Sequence, residues 1–240
     1  GALSQTYSPL EIILSDDCSS DRTFDIMQGM ASSYKGKHLV VVNRNKENMG
    51  ILGHINYVMG LASGECVMLA AGDDISLPNR ADLSWKVLED HPGAMCVSLG
   101  VIPIDAHGKV IREGYRPKAE PFFKKYTIQD YLAQPGFHLH GASLAFRKCV
   151  DDVFGPLDSI TAAEEDTTLL LRCLMMGYVV ECSEAGIYYR IHKDSLSGRD
   201  KNRLWNHDLL FKQWMRDIKH ANRIGMISDS LMNRITKQAQ

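Results

Sequence analysis

The chain has 240 residues, of which 45% are hydrophobic and 23% are charged, and its formal net charge is −2. This length and balance are those of a globular domain with a sizeable core. The slightly acidic charge argues against broad binding of nucleic acid, which needs a surplus of Lys and Arg. No run approaches the roughly 20 apolar residues of a membrane-spanning helix, and the first residues lack the segments of a signal peptide. We therefore expect a cytoplasmic domain that does not bind nucleic acid.

The six cysteines are scattered through apolar runs and form no CxxC pair. This pattern is neither the spacing of zinc ligands nor that of a small disulfide-rich domain. We interpret all of them as reduced core residues, which fits the cytoplasm. They are Cys18, Cys66, Cys96, Cys149, Cys173 and Cys182.

The first hundred residues alternate between strand and helix patterns. Apolar runs predict strands over Glu11 to Ser15, His38 to Val42 and Glu65 to Ala71. Helical periodicity lies between and after them, most clearly over Gly50 to Leu61 and Arg80 to Glu89. This alternation predicts an α/β fold with a mixed, mainly parallel sheet flanked by helices.

Beyond Ala94 to Ile104, a long β-prone run that ends in a hairpin turn at Asp105 to Gly108, the pattern becomes mixed α+β. A charged loop is predicted at 114–121. The remaining predicted elements are a helix over Thr127 to Leu132, a strand over Ala142 to Phe146, a helix over Glu164 to Met176, and strands over Tyr178 to Cys182 and Ile187 to Ile191.

The last part of the chain, residues 199–240, has the pattern of an amphipathic helix. Apolar residues such as Leu209, Trp214 and Ile218 alternate there with Lys, Arg and His. We expect a C-terminal helical extension that caps the domain. A helix that lies on a membrane surface or binds a partner is the open alternative.

Two predicted strands, EIILS and ECVMLAA, each end in a pair of aspartates, first Asp16 and Asp17, then Asp73 and Asp74. Ligands of open α/β sheets bind beyond the carboxyl ends of the strands, and hard divalent cations take carboxylate oxygens. The two pairs together indicate a cation and phosphate site. Adjacent residues of an extended chain point apart, so we expect one aspartate of each pair to face the crevice. Each stretch alone is also typical of a turn that caps a helix.

The order of the motifs resembles glycosyltransferase family 2, whose members have the GT-A fold. The resemblance covers residues 1–198, and it rests on the stretches SDDCSSDRT, NRNKENMG, SGECVMLAAGDDISLP, GAS before FR, EEDTTLLLR and YRIHKDSLS in family order. It implies a nucleotide-sugar-binding part at about 1–105 and an acceptor part at about 106–198, followed by the extension at 199–240.

The resemblance assigns the donor loop to the acidic turn after the first predicted strand. Asp17 would hold the nucleotide base and ribose, Asp16 would support it, and Asn48 would contact the donor. The alternative for the turn itself is a cap of the next helix.

By the same resemblance the family's Asp-x-Asp metal motif falls on AGDD. Ala71 stands where many members have the first aspartate, so Asp73 and Asp74 are the carboxylates left to bind Mg²⁺ or Mn²⁺. The resemblance does not decide between them. In YRIHKDSLS it places His192 near the diphosphate or the metal, with Arg190 and Ser195 as further donor-side candidates.

The stretch EEDTTLLLR resembles the family's Glu-Asp motif at the start of a helix. This makes Asp166 the general base toward the acceptor hydroxyl, with Glu165 beside it. The alternative is a pair of carboxylates that stabilise the helix N-terminus. His138 and His140 in FHLHGAS have no Cys or third His nearby, so we predict an acceptor-side lining or strand surface, not a metal site.

The implied activity is that of a metal-dependent, inverting hexosyltransferase. It would move a sugar from a UDP- or dTDP-sugar to a saccharide or lipid-linked acceptor, in bacterial cell-surface polysaccharide, O-antigen or glycolipid synthesis. Peripheral contact with the inner face of the membrane and a homodimer are left open. A sugar nucleotidyltransferase is one alternative, although the Gly-rich basic phosphate loop is not seen. A nucleotide-sugar-binding module without turnover is the other.

The family pattern opens with an apolar strand, and here the chain begins at Gly1, inside the helix that would follow that strand. The missing strand would pair with Glu11 to Ser15 at the centre of the sheet. We therefore expect an unpaired edge, which proteins usually cover. A longer natural polypeptide or another segment would fill the gap.

Overall fold

The computed structural model describes residues 1–111, 122–134, 136–158, 165–192, 195 and 207–239. The predicted loop at 114–121, the predicted helix start at Glu164 and the predicted boundary near residue 198 lie outside these ranges.

The first two strands form a parallel pair. Strand β1 (Glu11–Asp16) and strand β2 (Leu39–Arg44) pair in register from Glu11 with Leu39 to Asp16 with Arg44. Helix α1 (Thr23–Ser33) connects them. This is the strand, turn and helix unit that the sequence predicts.

A second sheet carries the other strands and is mixed. Its order is β3-β7-β5-β8-β4, and β6 also pairs with β8. The longest pairing of the sheet, β5 with β8, is parallel, and the shorter pairings are antiparallel. The strands are β3 (Cys66–Met68), β4 (Ile75–Ser76), β5 (Ala94–Ile104), β6 (Phe123–Tyr126), β7 (Leu144–Arg147) and β8 (Tyr178–Arg190).

The two strands predicted within 178–191 form the single strand β8. The register against β5 shifts between Leu99 and Gly100, where β8 carries two extra residues in a bulge. A methyl group at Gly100 would overlap the carbonyl of Ser183, so glycine leaves room for the bulge. The chain therefore passes this point without leaving the sheet.

The helices lie close to the predicted positions, and a short 3₁₀ turn at Gly141–Ser143 precedes β7. Within the described ranges, no helix is both long and apolar enough to cross a membrane. The further helices are α2 (Gly50–Leu61), α3 (Arg80–Asp90), α4 (Ile128–Ala133), α5 (Cys149–Phe154), α6 (Glu165–Met176), α7 (His207–Arg223) and α8 (Asp229–Ala239).

The main core lies between the second sheet and α6. Phe146 of β7, Leu174 of α6 and Val179 of β8 are buried together there. Helix α7 adds Ile218 and Ala221 to the same cluster. The apolar face of the C-terminal extension is thus packed inward, which is the arrangement of a capping helix.

The cysteines are all free thiols. Cys96, Cys173 and Cys182 are buried, and burial raises the pKa of the half-buried Cys66 thiol to about 12. The prediction of a core position is wrong for Cys149, which is exposed. Cys149 is the first residue of α5, and the helix buries the next residue instead.

A buried ion pair connects α7 to α6. Arg172 is fully buried, and its Nε donates to Asp217 Oδ2 at 2.7 Å while its Nη1 donates to the Gly155 carbonyl at 2.8 Å. Gln213 Nε2 donates to both Asp217 carboxylate oxygens, at 3.0 and 2.9 Å. Breaking such a pair leaves a charge in the core without compensation.

We expect Asp217→Ala to lower the free energy of unfolding by about 3–5 kcal/mol, because Arg172 would stay buried without its partner. Urea unfolding measures this change. Asp152→Ala is the control, because Asp152 meets Lys148 at 3.4 Å on the surface and such pairs contribute about 1 kcal/mol or less. Equal losses in the two variants would show that the buried pair does not hold the helices together.

Candidate functional site

A cavity of about 2260 Å³ is lined by both β1 and β3. Among the strands that the structure describes, β1 pairs with β2 alone and β3 pairs with β7 alone. The remaining edge of β1 is therefore unpaired within the described part of the chain, as the sequence predicts. The cavity runs along this edge to the carboxyl ends of both strands.

The cavity brings several of the predicted site residues together. Asp73, Asp74, Glu165, Asp166 and Ser195 all line it. The residues after β3 and the start of α6 thus share one crevice. The other predicted donor-side residues do not line this cavity, namely Asp16, Asp17, Asn48, Arg190 and His192.

The aspartate pair after β3 has its two members in different surroundings. Asp74 Oδ1 accepts a hydrogen bond from the Arg190 backbone N–H at 2.8 Å, and Arg190 Nε donates to the Asp73 carbonyl at 2.8 Å. Burial raises the pKa of Asp74, and the neighbouring charge of Asp73 adds to the rise. Asp74 therefore braces the loop against β8, while the Asp73 side chain is 39% exposed.

Asp73 and His192 lie side by side. Asp73 Oδ2 is 3.1 Å from His192 Nε2. This contact is a hydrogen bond, so the ring nitrogen is directed at the carboxylate oxygen, although carboxylate and imidazole are both side chains that bind divalent cations. Among the described residues no group of three or more His, Cys, Asp and Glu side chains could hold a metal. Asp73 and His192 are thus two side chains that could contribute to a metal site whose other ligands come from elsewhere.

The acidic turn after β1 is held by side-chain contacts. Asp16 is buried, accepts the Ser19 N–H at 3.1 Å and pairs with Arg44 Nε at 3.4 Å. Asp16 is thus the bracing member of its pair. Its role toward a donor stays a prediction.

Asp17 connects the turn to the segment before α2. Its Oδ1 accepts from Asn45 Nδ2 at 2.7 Å and from the Met49 N–H at 2.9 Å, and Asn48 Nδ2 donates to its carbonyl at 3.1 Å. His54 Nδ1 is 3.6 Å away. Asp17 and Asn48, both predicted to contact the donor, therefore meet each other in one loop cluster.

Asp166 lies in the first turn of α6 against a glycine. Its carboxylate occupies the space that a side chain at Gly141 would fill, and its Oδ1 accepts the Thr167 N–H at 2.8 Å. Burial raises the pKa of Asp166. Glu165 lines the same cavity beside it. A half-buried carboxylate with a raised pKa in a crevice is the environment of a general base.

His138 and His140 both line the cavity, and they lie before the 3₁₀ turn and not on a strand. The Nδ1 of His140 is buried and has no hydrogen-bond partner among the described residues, and the His140 ring lies edge-on to Tyr189 with centroids 4.5 Å apart. Burial lowers the pKa of His140, and the charge of Asp166 opposes this shift.

The sequence interpretation gave Arg80 no role, and it named Gly141 only as part of the GAS stretch. Both line the cavity. Arg80 begins α3, and a cation in the first turn opposes the helix dipole, which is a signal that the sequence does contain. Gly141 gives no comparable signal, because nothing near it in the chain shows that Asp166 lies against it.

Comparisons with known proteins match the chain to a glycosyltransferase family and to proteins named as glycosyltransferases. The profile described as glycosyl transferase family 2 matches residues 1–154. EpsE of Bacillus subtilis, named as a glycosyltransferase, is 30% identical over 128 residues, which are 50% of this chain and 45% of EpsE. MJ1057 of Methanocaldococcus jannaschii, named as an uncharacterized glycosyltransferase, is 23% identical over 218 residues, with 89% of this chain and 71% of that protein covered. The chain thus spans less than half of EpsE.

Two solved structures resemble the fold. TarS of S. aureus in complex with UDP-GlcNAc has a TM-score of 0.69 at 14% identity, over 98% of this chain and 64% of the other. The mannosyltransferase PcManGT of Pyrobaculum calidifontis, in complex with GDP-Man and Mn²⁺, has a TM-score of 0.60 at 16% identity, over 98% and 63%. These likenesses confirm the predicted GT-A-like fold.

We expect Gly141→Ala to lower the free energy of unfolding by about 1–3 kcal/mol, because the added methyl displaces the Asp166 carboxylate. Gly29→Ala in α1 is the control. It meets no atom within 4 Å, and an alanine there stabilises the helix by about 0.5–1 kcal/mol. Thermal and urea unfolding of both variants measure the difference. A Gly141 variant as stable as the wild type would show that Asp166 does not depend on this contact.

Proposed function

The chain belongs to glycosyl transferase family 2, and on this premise we propose that it transfers a sugar from a UDP- or dTDP-sugar to an acceptor hydroxyl with inversion. One observation carries the proposal. Asp73 and Asp74, after β3, line the same cavity as Asp166, at the start of α6. A donor bound at Asp73 and Asp74 and a base at Asp166 could act on one acceptor between them in this cavity.

The donor side is assigned to the loop after β3. We place the divalent cation, Mg²⁺ or Mn²⁺, on Asp73 and His192, because these side chains are 3.1 Å apart and Asp73 is partly exposed. Asp74 and Arg190 hold the loop that carries them. When bound, the cation supplies positive charge against the leaving diphosphate. The complex of PcManGT with GDP-Man and Mn²⁺ supports this assignment.

We assign the nucleotide base and ribose to the loop cluster of Asp17 and Asn48, with Asp16 as the buried support. The hydrogen bonds of Asp17 to Asn45 and Met49 hold this cluster in one conformation. A preformed loop binds its ligand without the entropic cost of ordering. TarS in complex with UDP-GlcNAc supports a nucleotide-sugar donor.

Asp166 is the proposed general base. It takes the proton of the acceptor hydroxyl as that oxygen bonds to the anomeric carbon, and the bond from that carbon to the diphosphate breaks on the opposite face. One such displacement inverts the stereocentre and needs no carboxylate nucleophile, unlike a retaining glycosidase. Asp166 must be ionised to act, so transfer falls as pH decreases through its raised pKa.

The acceptor is proposed to be a saccharide or a lipid-linked saccharide, in cell-surface polysaccharide or glycolipid synthesis at the cytoplasmic face of the membrane. The relatives named as glycosyltransferases support the reaction type. His138 and His140, which both line the cavity, give it polar side chains that would suit a saccharide.

We expect UDP to bind in the presence of Mn²⁺ and to lose most of its affinity when the cation is chelated. Asp73→Ala and Asp74→Ala should each weaken binding about 10-fold or more, since the first removes a cation ligand and the second releases the loop. Asp82→Ala is the control, because Asp82 lies exposed on α3. Calorimetric titration measures the affinities. Equal effects of Asp74→Ala and Asp82→Ala, or binding that needs no cation, would contradict the assignment.

We expect Asp166→Asn to reduce sugar transfer by about 100-fold or more, as loss of a general base does, while UDP affinity changes little. The reason is that the base acts on the acceptor and not on the nucleotide. Glu165→Gln is the matched control at the neighbouring position and should keep most of the activity. Transfer assays over a panel of nucleotide sugars give the comparison.

Two outcomes would change this proposal. Retained transfer in Asp166→Asn with loss in Glu165→Gln would move the role of the base to Glu165. UDP binding by the wild type without transfer of any sugar would indicate a binding module that lacks turnover.

A further inference from the structure

Arg80 is a buried cation with several acceptors. Its Nη2 donates to the carbonyls of Leu69 at 2.9 Å, Ala142 at 3.1 Å and Leu144 at 3.4 Å, and its Nη1 donates to Ser76 Oγ at 3.0 Å. The residue is only 3% exposed. Three of these four hydrogen bonds therefore come from a single nitrogen, Nη2.

The acceptors of that nitrogen belong to two separate parts of the site. Leu69 follows β3 and leads into the loop of Asp73. Ala142 is the middle residue of the 3₁₀ turn that begins with Gly141, and the Asp166 carboxylate rests on Gly141. The Arg80 side chain thus joins the loop of Asp73, the proposed cation loop, to the 3₁₀ turn against which the proposed base Asp166 lies.

The position of Arg80 is unfavourable for the helix that carries it. It lies in the first turn of α3, where a positive charge opposes the helix dipole. Burial lowers the pKa of Arg80 to about 10, and the charge of Asp74 counteracts this shift, so the group stays protonated at neutral pH. Its Nε is buried without a hydrogen-bond partner among the described residues. The position in the helix, the burial and the unpaired Nε are all unfavourable. The hydrogen bonds from Nη2 to the carbonyls of the two loops compensate for them.

We propose that Arg80 is a positioning residue that sets the separation between the loop of Asp73 and the turn that seats Asp166. This inference rests on the proposed function, because the separation matters when donor and acceptor react across it. Displacement of reacting groups by about 1 Å costs on the order of 100-fold in rate. Because one nitrogen binds both loops, it limits their displacement relative to each other more tightly than packing of either loop alone.

Lysine cannot reproduce this link. The guanidinium is planar and presents its donors in a fixed fork, whereas the lysine ammonium is a strongly hydrated point charge on a flexible chain. Arg80→Lys keeps the charge near Asp74 but loses the fixed geometry between Leu69 and Ala142. The variant therefore separates the effect of charge from the effect of position.

The chain offers a matched control in Arg147. It also donates to backbone carbonyls, with Nε on Ala94 at 2.8 Å and Nη2 on Leu88 at 2.7 Å. These contacts join α3 to β5, and Arg147 does not line the cavity. Arg147→Lys should therefore destabilise the protein without displacing the two loops of the site.

The test compares Arg80→Lys, Arg147→Lys and the wild type in sugar transfer and in UDP binding with Mn²⁺, well below the unfolding temperature of each. We expect kcat of Arg80→Lys to fall by about 100-fold while the Kd for UDP changes by less than about threefold. Donor hydrolysis relative to transfer should rise, because the base no longer meets a correctly placed acceptor. Arg147→Lys should keep kcat within about threefold of the wild type.

Each result supports or overturns the inference. Equal kcat values for the two lysine variants, with transfer by the wild type, would overturn the role of Arg80 and leave the proposed function intact. Absence of transfer by the wild type would instead remove the proposed function. If Arg80→Lys does not fold, Arg80→Gln takes its place, because the shorter side chain cannot place a nitrogen where Nη2 donates to Leu69 and Ala142, and an unchanged kcat in that variant would overturn the inference.

Discussion

The parallel pairing of β5 with β8 is the constraint on which the candidate site depends. It carries the end of β8 next to the short strand β4, where Ile75 pairs with Tyr188. From there the Arg190 N–H reaches Asp74. The next residues of the chain bring His192 beside Asp73. The proposed cation loop is thus built from two segments that are far apart in sequence and adjacent in the sheet.

Helix α6 provides a rigid support on the other side of the cavity. Its middle is held by the buried pair of Arg172 and Asp217, and Trp214 Nε1 donates to Thr168 Oγ1 at 3.1 Å one turn closer to the site. Its first turn rests against Gly141. Side chains whose supports are fixed by packing hold a reactive geometry better than side chains on loops. The C-terminal extension therefore contributes to the site through α6, although its contacts with α6 lie in the core.

The acidic residues of the site differ through their neighbours. Asp16 is buried against Arg44 and holds its turn. Asp74 and Asp166 are partly buried, and burial raises the pKa of both. A carboxylate that is desolvated without an adjacent cation is a stronger base than one in an ion pair. Burial thus raises the pKa of Asp74, which braces a loop, as well as that of the proposed base Asp166, so their different contacts and not their pKa shifts distinguish them.

The sequence by itself determined most of the elements and their order, since apolar periods and strand-end turns are local, but it did not indicate the short elements β4, β6 and α5. It also indicated the aspartates after β1 and β3 and the carboxylates that begin α6, because strand ends and helix starts are marked by nearby residues. Only the tertiary structure decided that β8 is continuous, that Asp73 and not Asp74 meets His192, and that Arg80 joins the two loops. Each of these depends on contacts between segments distant in the chain, and the physical reason is that sheet register and burial select such contacts, which local periodicity does not encode.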